Sequence, residues 1–334
     1  MSRVIDTHAH VIVPELLRDA APDEEWRPRV WREDGRQIFE VGGREVRSAL
    51  REWTDLDRIV ADQDAAGTDL VVLSPLVLLL GHDAEPAEGR HRARIQNEGL
   101  ARMVRDGGGR IAGLGTVPLQ APELAADELR AIMADGVLRG VEVAASVGGR
   151  FLGDDAFEPF WAAAEDTGAL VFVHPTTRGF DAPAFADHYL WNAVGNPLET
   201  TVTAAHLVMT GTLERHPGVK VLLAHGGGAI LALRGRLRHA HSFQPQARSR
   251  LRESPEDSLR RLFYDTVVHD AALLRALVET VGADRVVLGS DHPFDMGDLR
   301  PADSVRAAGL DPVDEAAVLG GTAAALLGID VAAR

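Results

Sequence analysis

The sequence predicts a (β/α)8 barrel, and three observations carry that expectation. Eight short apolar runs, over about 4–6, 70–74, 111–116, 140–143, 170–173, 219–224, 260–265 and 286–289, alternate with helical segments. Four of the runs end in His or Asp: the first in His8-Ala9-His10, the fifth in His174, the sixth in His225 and the eighth in Asp291. No Gly-x-Gly-x-x-Gly fingerprint follows any run. Its absence removes the main support for the competing fold, a doubly wound open sheet with a dinucleotide site.

Composition sets outer limits. A chain of 334 residues suits one large barrel or two ordinary domains. A hydrophobic fraction of 46% supports a substantial core. There is no cysteine, which excludes disulfides, thiolate metal sites and cysteine nucleophiles. A formal net charge of -15 argues against non-specific nucleic-acid binding, though local arginines can still receive an anionic substrate. The longest apolar stretch, 70–80, is too short to span a membrane. The N-terminus lacks a basic-apolar signal pattern, and cleavage there would remove His8 and His10. A cytoplasmic enzyme is the expectation.

The first strand covers 4–6, and in extended chain His8 and His10 point to one side, half of a zinc-type site. Residues 11–55 break the rhythm with Pro14, Pro22 and Pro28 and a hairpin over 37–46 turning at Gly42-Gly43. They read as an insertion beside a single domain spanning 1–334, rich in arginine at Arg44, Arg47 and Arg51. A helix over 57–66 stops at Gly67, and the strand 70–74 follows. Helices are expected over 90–106 and 121–134, each followed by a strand, then over 157–167 up to Gly168. The strand 170–173 ends at His174-Pro175. Helices over 197–210 and 212–215 lead to the strand ending in His225-Gly226-Gly227-Gly228, and a further helix runs to about 238. The strand 260–265 is the weakest. Helices over 271–281, 301–308 and 312–327 surround the last strand and close the chain.

In a barrel the C-terminal strand ends meet at one face, so His8, His10, His174, His225 and Asp291 gather there. Imidazoles with one carboxylate suit Zn²⁺ and leave room for water. The remaining histidines, His82, His91, His188, His206, His216, His239, His241 and His269, lie on loops or helices and read as surface or hydrogen-bonded groups. His292 follows Asp291 directly, so it should point away from the metal.

These motifs, with Gly-Ser-Asp-His-Pro-Phe at 289–294, resemble the amidohydrolase superfamily. More narrowly, the chain resembles the branch of aminocarboxymuconate-semialdehyde decarboxylase and related metal-dependent nonoxidative decarboxylases. The resemblance implies that His8, His10, His174 and Asp291 hold the metal and that His225 acts on the metal-bound water. It implies that Arg47 binds a substrate carboxylate, and that Arg236 does so across the interface of a homodimer. Trp191 and Phe294 match aromatic pocket residues. Binuclear members carry a lysine after strand four. The one lysine here, Lys220, starts strand six, so a single Zn²⁺ is expected, with Mn²⁺ also suited to the donors and Glu142 left as a conceivable bridge.

The implied reaction is nonoxidative decarboxylation of an unsaturated or aromatic carboxylic acid, with His225 moving the proton and arginines holding the carboxylate. A hydrolase of an amide, lactone or related ester is the alternative on the same residues. A non-catalytic metal-binding scaffold is a third reading, and it predicts tolerance to replacing His225.

Overall fold

Eight strands form the scaffold: β1 (Ile5–Val11), β2 (Leu70–Pro75), β3 (Ile111–Gly113), β4 (Gly140–Ala144), β5 (Leu170–His174), β6 (Lys220–Leu223), β7 (Phe263–Asp265) and β8 (Val286–Val287). They belong to a computed structural model that describes residues 3–47, 49 and 52–330; Arg51 of the insertion lies outside the described residues. Parallel pairing runs β1–β2–β3 and β4–β5–β6–β7–β8. Two seams close the ring. Gly115 pairs with Val141, and Ala9 pairs with His292. The Thr7 amide donates to the Leu288 carbonyl at 2.8 Å, and the His10 amide to that of His292 at 2.7 Å.

Strand periodicity sorts the barrel into an inside and an outside. Leu70, Val72, Leu170, Phe172, Leu222 and Ala224 share one buried cluster, while Val71, Leu73, Val171, Val173, Val221 and Leu223 join the larger cluster formed with the helices. Ala323, Ala324, Leu326 and Leu327 of the last helix belong to the inner cluster and plug it. On β5 the inward phase runs Leu170, Phe172, His174, so the third residue brings an imidazole to the mouth.

The helices follow their local signals. The Asp55 carboxylate accepts from the Arg58 amide at 3.1 Å to open the helix Leu56–Ala66, and Gly67 closes it at φ 79°. The helix expected over 312–327 forms without a break, with a π-helical turn, Ala317–Gly321, between the α-helical stretches Pro312–Ala316 and Thr322–Leu327. Gly320 lies against the Arg3 carbonyl, where a Cβ would clash, so the wide turn seats backbone against the base of β1.

Between β1 and the first helix the chain forms a three-stranded antiparallel sheet, Arg29–Glu33, Arg36–Val41 and Arg44–Val46. The turn at Gly42-Gly43 is as expected. The first strand is additional, and its signal is the two-residue Asp34-Gly35 turn, with φ of 49° and 77°. An aromatic chain couples this sheet to the barrel mouth. Phe39 meets Trp53 at 5.2 Å between ring centroids, Trp53 meets Phe294 at 5.1 Å, and Phe294 meets His10 at 5.7 Å. No helix among the described residues is long and apolar enough to cross a membrane.

Candidate active site

The β1 register gains one residue relative to β2 between Asp6 and Ala9. This bulge falls beside His8 and His10, where an extra residue re-aims side chains. Three imidazoles are then oriented by the same device. His8 Nδ1 lies 2.6 Å from Asp265 Oδ2, His10 Nδ1 3.2 Å from the Pro75 carbonyl, and His174 Nδ1 2.8 Å from the Pro175 carbonyl. A carbonyl only accepts, so Nδ1 carries a proton on His10 and His174, and each Nε2 is turned to a common point. His8 Nε2 and His10 Nε2 are 3.2 Å apart, and each is 3.3 Å from Asp291 Oδ1. His174 Nε2 is buried with no hydrogen-bond partner.

Burial and the facing carboxylates set the electrostatics of the cluster. Burial opposes charge on His8, but Asp291 and Asp265 outweigh it and raise the imidazole to about 10. For His10 burial is likewise overcome, by Glu142 and Asp291, up to about 9. Burial and the neighbouring imidazoles push His174 well below its ordinary value. Burial works against the Asp291 carboxylate, yet the imidazoles hold it well below the usual carboxylate range. The carboxylates therefore demand positive charge at the point where the Nε2 atoms converge. A divalent cation meets that demand with the donors already aimed at it.

Asp291 and His225 both take the left-handed backbone conformation, with φ of 58° and 57°. For residues with a Cβ this conformation is uncommon and tends to cluster at functional sites. The fold enforces it at His225 through Asp265. The Asp265 carboxylate accepts from the amides of His225 at 2.9 Å, Gly226 at 2.7 Å and Val267 at 3.1 Å. Gly228 continues the turn at φ 64° against the Pro197 carbonyl, leaving no space for a Cβ. His225 Nε2 comes to 3.8 Å from Asp291 Oδ2, and ligand atoms of His8, His174, His225 and Asp291 all lie within 4.8 Å of one another. Unlike the other three imidazoles, His225 has no hydrogen-bond partner on Nδ1 among the described residues.

A cavity of about 390 Å³ opens over the cluster, and its wall includes Arg47, Arg178, Trp191, Phe294, His225 and Asp291. Arg47, Trp191 and Phe294 are thus brought to the mouth. The Arg47 guanidinium is exposed and engaged by Glu33 at 2.7 Å and Glu45 at 2.9 Å, and those carboxylates raise its pKa. Arg236 does not line this cavity; it is exposed on the helix Ile230–Phe243. Two residues at the site were not singled out from sequence. Asp265 ends β7 at the same mouth, but the weak strand pattern hid it. Arg178 sits in the loop after β5, where residue type alone carried no signal. The other histidines bond elsewhere: His82 Nε2 to the Val117 carbonyl at 3.0 Å, His216 to Glu158 and Glu165, and His292 Nε2 to the Glu52 carbonyl at 3.0 Å.

The chain is similar to known proteins along most of its length. A 2-amino-3-carboxymuconate-6-semialdehyde decarboxylase of Dictyostelium discoideum is 29% identical over 293 residues, 87% of this chain and 81% of the relative. The apo structure of Metarhizium anisopliae IDCase superposes with a TM-score of 0.83 at 23% identity, covering 98% of this chain and 97% of that one. A dihydroxybenzoic acid decarboxylase of Polaromonas, solved with bound manganese, superposes with a TM-score of 0.80 at 21% identity, covering 98% and 97%. The amidohydrolase family model matches residues 5–329. The chain belongs to the amidohydrolase family.

Proposed function

We propose that the protein is a metal-dependent, nonoxidative decarboxylase of an unsaturated or aromatic carboxylic acid. The observation that carries this reading is His225, whose Nδ1 has no hydrogen-bond partner among the described residues and whose Nε2 faces Asp291 at 3.8 Å on the floor of a cavity walled by aromatic and cationic side chains. The Dictyostelium discoideum relative is named as a decarboxylase, which supports the same reading.

His8, His10, His174 and Asp291 would hold one divalent ion, and Glu142 stands behind His10 Nδ1 at 3.7 Å. Their N/O donors suit Zn²⁺, our first assignment, and also Mn²⁺. Bound there, the ion supplies Lewis-acid polarisation of the substrate. In the reaction the bond to the carboxylate carbon breaks, its electron pair stays on the ring or diene carbon, and CO2 leaves. That carbon must then take a proton, which His225 delivers from its imidazole. Phe294 and Trp191 present flat apolar faces to a planar substrate and exclude water. Arg47 at the rim, and Arg236 from a second subunit, would hold substrate carboxylate.

Metal-reconstituted protein should release CO2 from members of a panel of aromatic and muconate-type acids. Loading with Zn²⁺ or Mn²⁺ in parallel identifies the working ion. Ring opening or amine release from lactones and amides, without CO2 from any acid, would establish the hydrolase instead.

A further inference from the structure

The cavity wall contains a second arginine whose situation is the opposite of Arg47. Arg178 is half-buried in the loop after β5 and, among the described residues, forms no ion pair. Its guanidinium stacks 4.1 Å above the Trp191 ring centroid, and Trp191 is braced in turn by Tyr189 at 4.9 Å. Stacking occupies one face of the guanidinium, and among the described residues no acceptor engages the N–H donors at its rim.

The loop is built to keep it there. The Glu199 carboxylate accepts from the amides of Thr176 and Thr177, at 3.2 and 2.8 Å, and from the Thr177 hydroxyl at 2.7 Å. The Thr177 hydroxyl oxygen accepts from the Phe180 amide at 2.8 Å. Arg178 itself adopts φ 56°, and its carbonyl lies so close to Gly195 that a Cβ there would stand 2.9 Å away. A surface arginine needs none of this. Burial, followed by the like charge of Arg44, lowers the Arg178 pKa against the opposing effects of Tyr189 and Asp181.

We propose that Arg178 is a specificity-determining residue that pairs with a second carboxylate on the substrate, separate from the one that is lost. The proposal rests on the decarboxylase reading for the chemistry but on the cavity alone for the contact. Two glutamates pair with Arg47, whereas no carboxylate among the described residues pairs with Arg178, which leaves it open to a second anionic group beside the one Arg47 would hold. Its planar fork matches a carboxylate bidentately.

The test uses matched acids that differ by one carboxylate: isophthalate against benzoate, and muconate against sorbate. Affinities for the metal-loaded protein are measured by titration calorimetry. The wild type should bind each diacid about 10- to 100-fold more tightly than its monoacid, the range for a charge-assisted pair. Arg178→Gln should abolish that preference while monoacid affinity, metal content and thermal midpoint stay level. Arg178→Lys, which keeps the charge but not the fork, should fall between. Absence of a diacid preference in the wild type overturns the proposal. So does a preference that survives Arg178→Gln, or an equal loss for both acids of a pair. CO2 release is scored separately: an Arg178-dependent diacid preference with no CO2 from any acid leaves Arg178 standing and removes the decarboxylase reading.

Discussion

His8 Nδ1 stands 2.6 Å from Asp265 Oδ2, and the same carboxylate receives the backbone amide of His225. One buried side chain on β7 therefore aims an imidazole from β1 and shapes the turn that carries an imidazole from β6. Burial raises the Asp265 pKa, but the bonds and charges of His8 and His225 prevail and leave it depressed, so it serves as an anion.

Asp265→Asn keeps the size of the side chain and removes the charge. Metal affinity should fall about 10- to 100-fold, the usual cost of losing the group behind a histidine ligand. Competitive titration with a chelator reads this directly. Wild-type protein should retain about one metal per chain, as a site of three or four ligands implies. Unchanged affinity in Asp265→Asn, or two equivalents in the wild type, would remove the assignment.

For His225 the expected result is a loss of turnover with the metal retained. His225→Asn keeps polarity but cannot exchange a proton, so the rate should drop about 10²- to 10⁴-fold. One limb of the pH–rate profile should vanish with it. Loss of metal from His225→Asn, with full rate on reloading, would make His225 a fifth ligand. Full rate and an unchanged profile would make it structural.

The barrel and the gathering of His and Asp side chains at its mouth were legible in the sequence because both rest on local rules. Period-two alternation on β5 fixes which side His174 faces, and strand ends in a parallel barrel converge wherever the loops go. Asp265 was harder to see because β7 is only Phe263–Asp265, too short for its alternation to register. Arg178 was invisible for another reason. Its placement depends on Glu199, a helix residue 21 positions later, and on a π-helical turn at Trp191–Gly195 that no periodicity announces. The bulge at β1 is likewise a property of two paired strands and not of either alone.

Arg236 lies outside its own chain's cavity, on a helix that also exposes Leu233 and Phe243. If the helix packs on a second copy, Arg236 completes the partner's site. Arg236→Ala and His8→Ala should each be inactive alone. Mixed after subunit exchange, they should recover about a quarter of wild-type activity, since half of the dimers are mixed and each holds one intact site. No recovery after proven exchange, or full activity in a monomer, would refute the shared site.

His82, in the loop after β2, gives a stability signal independent of catalysis. Its Nε2 donates to the Val117 carbonyl at 3.0 Å, and its Nδ1 is shielded from water. Burial lowers its pKa from 6.5 to about 4, against the opposing effects of that hydrogen bond and of Asp83. A depressed folded-state pKa means that the unfolded chain binds the proton first. The stabilisation is therefore complete above about pH 6.5 and is lost as pH falls toward about 4, below which both states are protonated. The shift corresponds to about 1–3 kcal/mol once the partly exposed edge of the ring is allowed for, one pKa unit being about 1.4 kcal/mol. His82→Gln can keep a donor to Val117 but does not titrate. Urea unfolding of both proteins in the same metal state, from pH 7.5 to 4.5, should show the wild type losing that much more stability than the variant. Other ionisable groups cancel in the difference. Parallel curves would mean that His82 is protonated in the folded protein at no cost, and that its burial is not what the geometry implies.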